Sequence, residues 1–352
     1  MRRFSLVIAV LVAIVVFERQ SSAVDVLTLR LFEQYLESFR VEAVVPAMSG
    51  VIVQDGVVVW KHGFGRQDLE GAIAARSDTP YPIGSLSQVV GSTMLLRTCV
   101  DGGSAELIDK VVRWMPLYPE PLTTISQLLS HTAPSGAFHY DPSRMSALTG
   151  VVEECADQKY ASLVAHDLLD QLVMGHSVPG QALATPTTAD EAIFEPARLA
   201  YYANVLRTVA TPYRVISRRP VRNTEFVAVP FTVSNGLVTS AEDLAEFDKA
   251  LDADRLLAPI TRVQAFTQTF SGATPLPTGL GWFVQNYNNE AIVWQFGLVE
   301  NAYSSLYLKV PNRKLTFILL ANSDGLSAPF SLDAGDVTTS IFAKTFLRTF
   351  LP

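Results

Sequence analysis

Charge is scarce in this chain: only 17% of its 352 residues are Asp, Glu, Lys or Arg, whereas 49% are hydrophobic. That balance excludes a disordered polyelectrolyte and a charged coiled coil, and no repeat or low-complexity tract points to a solenoid or fibre. The formal net charge of −7 lacks the basic footprint of a nucleic-acid partner, so none is expected. Cysteine is scarcer still: Cys99 and Cys155 cannot build a disulfide scaffold, and leave either one bridge or two thiols. The five histidines, His62, His131, His139, His166 and His176, form no His-Glu-x-x-His or comparable ligand spacing, so no metal is expected. Walker-type and dinucleotide glycine fingerprints are missing, which predicts no nucleotide cofactor, and Gly-x-Ser-x-Gly is missing, which argues against an α/β-hydrolase elbow.

Only one long apolar run occurs. Arg2 and Arg3 precede Ser5–Phe17, and Ser21, Ser22 and Ala23 supply small residues after it. This is the layout of a secretory signal peptide over residues 1–23, and the thirteen-residue run is short for a bilayer span. The expectation is an exported protein, secreted or periplasmic, with no stable membrane anchor unless that segment stays uncleaved.

Residues 50–54 and 57–61 are β-rich and meet at Asp55-Gly56, a pair suited to a two-residue hairpin. Similar runs over residues 280–285, 291–296, 303–310 and 315–321, the last two joined by Pro311–Lys314, predict one antiparallel sheet built from both ends of the chain. Apolar residues at helical spacing over 27–40 and 333–350 predict helices covering a sheet face. Between the β regions the pattern turns helical, over 86–100, 124–129, 146–173 and 197–208. The fold class expected is therefore α/β (α+β): a frame of residues 24–84 and 233–352 with a helical subdomain over 85–232, in a single domain of residues 24–352. Arg214, Arg218, Arg219 and Arg222 read as a solvated face.

The string Tyr81-Pro82-Ile83-Gly84-Ser85 runs into an apolar helical pattern that stops at Asp101-Gly102-Gly103. Ser85 thus sits at a helix N-terminus, where a hydroxyl serves either as a cap or as a nucleophile whose oxyanion meets free backbone N–H groups.

Several strings together resemble the serine β-lactamase and penicillin-binding family, in particular its class C and esterase-like branch, across nearly all of residues 40–350. They are the 55–65 hairpin, Ile83-Gly84-Ser85-Leu86-Ser87, Leu128-Leu129-Ser130-His131-Thr132, Gly236-Leu237-Val238-Thr239-Ser240, Gly279-Leu280-Gly281-Trp282-Phe283 and Leu320-Ala321-Asn322-Ser323-Asp324-Gly325, in the family's order. The resemblance implies an antiparallel sheet flanked by helices, a helical subdomain, and a site between them that takes a small molecule or peptide. It assigns Ser85 as the nucleophile and Tyr140 as the proton-relaying tyrosine. It also exposes three replacements. The Lys three residues after the nucleophile, which would accept its proton, is Gln88, and no Ser-x-x-Lys occurs anywhere in the chain. The Asn two residues after the tyrosine is Pro142, and the His or Lys of the site-lining strand is Gln295. Gly297 still permits close backbone approach, and the N–H groups of Ser85 and Leu298 are the implied oxyanion donors. Two readings follow: a binding or regulatory pseudoenzyme with lost or strongly weakened acyl transfer, or a divergent serine hydrolase forming an acyl-enzyme at Ser85.

Overall fold

The computed structural model describes residues 25–351, so the signal-peptide expectation for residues 1–23 lies outside the described residues. Strand β1 (Ala47–Gln54) turns through Asp55 and Gly56, both with positive φ, into β2 (Val57–Asp68), so this hairpin forms where the turn chemistry put it. A two-residue β3 (Ile73–Ala74) adds to the edge beyond β2. On its other side β1 pairs antiparallel with Leu315–Ala321, which pairs with Tyr303–Val310, then Glu290–Val299, then Phe283–Tyr287. The result is one seven-stranded antiparallel sheet with the N-terminal hairpin joined to the C-terminal meander.

Both faces of that sheet are covered, and residue alternation distributes the side chains between them. Met48, Ile52, Phe317 and Leu319 face one core with Phe32, Leu36 and Phe346; Val51, Val53, Ile318 and Leu320 face the other with Ile83, Val89 and Val90. The first cover is α1 (Val26–Glu42), capped by the Asp25 side chain on the Thr28 N–H, together with the C-terminal helix Ile341–Phe350. Phe32 meets Trp60, Phe317, Phe346 and Phe350 edge-on at ring separations of 5.2–6.1 Å, the arrangement preferred by aromatic quadrupoles.

The second cover is the helical region. A 3₁₀ turn, Gly84–Leu86, leads into α2 (Ser87–Leu95), all nine residues of which are buried, and a widened turn over Leu96–Asp101 closes it. A helix buried all round has to be apolar or internally paired. Here Ser87 and Thr93 return their hydroxyls to the Gly84 and Val89 carbonyls.

Three expectations need correction, and one gains detail. The helix expected over 333–350 begins only at Ile341, because Asp336 caps the Thr338 N–H and Ser340 caps the Ala343 N–H, so 332–340 folds as two short 3₁₀ turns. The segment 146–173 is broken by Asp157 in the left-handed region, giving Leu148–Ala156 and a second helix from Tyr160. The strand expected at 280–285 runs over Phe283–Tyr287. The arginine cluster lies on a β-hairpin, Tyr213–Ile216 with Arg219–Arg222, inside the otherwise helical region; its Arg214–Glu225 and Arg218–Glu42 pairs are solvent-exposed.

Cys99 is buried and Cys155 half-buried, and both are free thiols. Among the described residues, no helix is long and apolar enough to cross a membrane, and no group of His, Cys, Asp or Glu is placed to hold a metal ion.

Candidate active site

Ser85 sits in the turn that opens α2, 5% exposed, and its hydroxyl donates to the Phe296 carbonyl at 3.2 Å. The strand Glu290–Val299 makes this approach possible. Its first half pairs with Phe283–Tyr287, but that pairing ends at Trp294, so residues 295–299 face the Ser85 turn. Contact there is as close as backbone allows. A Cβ on Gly297 would lie 1.9 Å from the Ile83 carbonyl oxygen, and one on Gly84 3.2 Å from the Leu298 N. Gly84 also has φ +56°, so glycine is required on both sides of the contact. Leu298, the second implied oxyanion donor, therefore lies beside the Ser85 turn.

A cavity of about 380 Å³ opens over this contact. Ser85, Tyr140, Pro142 and Leu298 all line it. Pro142 is the first residue of a short helix, Pro142–Met145, whose Asp141 cap accepts the Arg144 N–H, so its ring starts a helix at the position where the resemblance implies an asparagine. Gln88 and Gln295 lie behind the cavity, 0% and 1% exposed.

These side chains are connected. The Asp141 N–H donates to His131 Nδ1 at 3.2 Å, which leaves the imidazole proton on Nε2, and that proton is donated to Gln88 Oε1 at 2.8 Å. With its oxygen so occupied, Gln88 presents its amide nitrogen to the Tyr140 hydroxyl at 3.0 Å. Tyr140 in turn donates towards Gln295 Oε1 at 3.5 Å, and Gln295 Nε2 points back to Gln88 Oε1 at 3.5 Å. Gln295 Oε1 also accepts its neighbour's backbone N–H, at Phe296, at 2.9 Å. Two amides and a phenol thus close a ring oriented by a histidine.

The electrostatics keep that ring neutral. Burial pulls His131 down to about 4, and burial pushes the Tyr140 phenol well above its usual value although the Ser85 and Gln88 side chains oppose the rise. An unperturbed tyrosine is about 0.1% ionised at pH 7, so Tyr140 is a phenol there. No Lys or Arg lines the cavity. Ser85 accordingly has neither an amine nor a phenolate to take its proton.

Three polar residues of the cavity lining, and the apolar Ala328 and Phe330, escaped the sequence reading. Asn235 lines the cavity from the residue immediately before the Gly236 string, and Ser327 and Asp333 line it from the turns after Asn322. Adjacency to a recognisable string was the only signal for Asn235; the turns carried none.

Comparison with known proteins agrees with this architecture. The family described as "Beta-lactamase" matches residues 30–337. The chain belongs to the β-lactamase family. It is 21% identical over 340 residues to penicillin-binding protein 4* of Bacillus subtilis (strain 168), an alignment covering 84% of this chain and 71% of that one. Among solved structures it resembles the octameric penicillin-binding protein homologue from Pyrococcus abyssi, with a TM-score of 0.71 at 18% identity over 91% of this chain and 77% of the other. The class C β-lactamase from Rhodobacter sphaeroides gives a TM-score of 0.67 at 15% identity, covering 91% and 99%. At these identities the structural likeness establishes the fold.

Proposed function

We propose that this chain is an exported, ligand-binding member of the β-lactamase family in which serine acyl transfer is lost or strongly weakened. The observation that carries the reading is the fate of two protons. The Ser85 hydroxyl proton is held by a backbone carbonyl, and the Tyr140 phenol, fixed by Gln88, keeps its own. Acylation needs the serine proton to leave as the bond to the acyl carbon forms, and loss of a general base costs about 10²- to 10⁴-fold. The cavity and the backbone beside Ser85 remain, so recognition of a small molecule or peptide survives the loss of its chemistry. No cofactor enters this reading.

The retained geometry supports a second reading. Ser85 and Tyr140 line one cavity, with Ser85 at a helix start and Leu298 beside it, an arrangement in which a divergent hydrolase would acylate Ser85 from an activated ester or amide. Intact-protein mass after incubation with a fluorophosphonate, and separately with a penicillin, decides between them. The expected result is no adduct, or one forming at least about 100-fold more slowly than on a competent serine hydrolase. Rapid, stoichiometric labelling that disappears in Ser85→Ala would overturn the binding-protein reading in favour of the hydrolase.

A further inference from the structure

The cavity above Ser85 is asymmetric in charge. Its polar lining is the Ser85 hydroxyl, the Tyr140 phenol, the Asn235 amide and the Ser327 hydroxyl, all neutral, and Ser327 is already committed to the Gly297 carbonyl at 2.9 Å. Its apolar lining includes Phe296, Leu298 and Phe330. Asp333 is the sole charged residue of the lining. It is exposed at the rim in the 3₁₀ turn Leu332–Ala334, and among the described residues no hydrogen bond or ion pair engages its carboxylate. Its neighbour Asp336 differs: that carboxylate takes the Thr338 N–H and hydroxyl and the Gln285 amide. The Asp333 charge also reaches into the site, since it contributes to the rise of the Tyr140 phenol.

A carboxylate at the mouth of a cavity without a cation discriminates by sign. A ligand carboxylate entering here would meet repulsion and no partner, whereas an ammonium group would meet an unused acceptor, and the aromatic and aliphatic wall would take an apolar body. We infer that this site selects a small primary amine carrying an apolar or aromatic body, such as an amino-acid amide or the N-terminal residue of a peptide, and that Asp333 is the residue that reads the amine. The inference deepens the ligand-binding reading given above and rests on it.

Three ligands with one aromatic body test the inference: phenylalanine amide (cation), N-acetylphenylalanine amide (neutral) and N-acetylphenylalanine (anion). Each is titrated calorimetrically into the full chain carrying Ser85→Ala, so that turnover of a bound ester or amide cannot confuse the result whichever way the labelling experiment falls. The expected order is cation tighter than neutral tighter than anion, with about tenfold or more between the first and last at low salt. The ratio should shrink at 0.5 M salt, because the Asp333 carboxylate is solvent-exposed and a Debye length there is only about 4 Å. Asp333→Asn should bring the three affinities within about twofold of one another. An anion that binds as tightly as the cation, or a ratio untouched by Asp333→Asn, overturns the assignment of Asp333 while leaving a ligand-binding cavity in place. Absence of binding by all three up to about 10 mM overturns the inference and counts against the ligand-binding reading as well. Rapid labelling of Ser85 by fluorophosphonate, together with the expected charge order, would instead overturn only the loss of chemistry.

Discussion

His131 offers the sharpest test of the neutral site, because its protonation would have to break the arrangement that orients Gln88. Its ring is 6% exposed, and both nitrogens are used: Nδ1 accepts from the Asp141 N–H and Nε2 donates to Gln88. A second ring proton would point at the Asp141 N–H. The folded value of about 4, against 6.5 for an unperturbed histidine, means that between these pH values the unfolded chain binds a proton that the folded chain refuses. Stability from this group is present above pH 6.5 and is lost as the pH falls towards 4. Fully expressed, the gap is worth about 3 kcal/mol, and between pH 7 and pH 5 linkage predicts a loss of about 2 kcal/mol. Other groups titrate over the same range, so the measurement is a difference of differences. Urea unfolding of the wild-type chain and of His131→Asn is compared at pH 7 and pH 5. Asparagine tolerates the positive φ of 54° at this position and does not titrate. Wild type should lose about 2 kcal/mol more than the variant across that interval. Equal losses in the two proteins would refute a buried, neutral His131, and with it the fixed orientation of Gln88.

Three further substitutions probe the frame and the site. Lys309 is fully buried between Asp248 and Asp252 at 2.8 Å from each, so Lys309→Met leaves two carboxylates without their cation and should cost about 3–5 kcal/mol in urea unfolding; a cost below about 1 kcal/mol would show that the cluster relaxes or protonates freely. In Gly297→Ala the new methyl collides with the Ile83 carbonyl, so the strand must withdraw from the Ser85 turn, costing about 1–3 kcal/mol and abolishing ligand binding in the cavity; retained binding would remove that strand from the site. Gln88→Lys places an amine beside Tyr140 but orphans the His131 Nε2–H, so fluorophosphonate labelling of Ser85 should rise about tenfold or more while stability drops by about 1–3 kcal/mol, and unchanged labelling would show that proton acceptance is not what the site lacks.

What the sequence revealed is local, and what it concealed is long-range. Asp55-Gly56 and Pro311–Lys314 mark turns by backbone chemistry, and alternation such as Phe317, Ile318, Leu319 marks a strand covered on both faces, so the antiparallel sheet of both chain ends was legible. Boundaries set by side-chain caps were not. Ala334, Val337 and Ile341 fall at helical intervals, yet Asp336 and Ser340 satisfy backbone donors locally and hold that stretch in short turns. At the site, Ser85, Gln88, Tyr140, Pro142 and Gln295 were legible because each falls in or beside a recognisable string. Asn235 and Asp333 were not, because loops separated by about a hundred residues or more in sequence bring them to the same cavity.

Read one at a time, Gln88 and Gln295 are amides at positions where the family resemblance implies an amine and a cation, and they neither accept a proton nor carry charge. Placed together they are complementary. The Gln88 oxygen satisfies His131, its nitrogen satisfies Tyr140, and Gln295 accepts from Tyr140 while returning its own nitrogen to Gln88. A buried polar group left unpaired costs about 1–3 kcal/mol, so an arbitrary loss of the lysine would have left His131 and Tyr140 each short of a partner. Instead every one of the four side chains has a partner in the ring, and the whole ring is neutral. A site paired in this way resists the arrival of a single charge, since an amine at position 88 gains Tyr140 but deprives His131. If acyl transfer is weakened as proposed, a lysine at position 88 alone would recover part of the proton acceptance at a cost in stability, and a competent site with every buried polar group paired would need compensating changes at positions 131 and 295 as well.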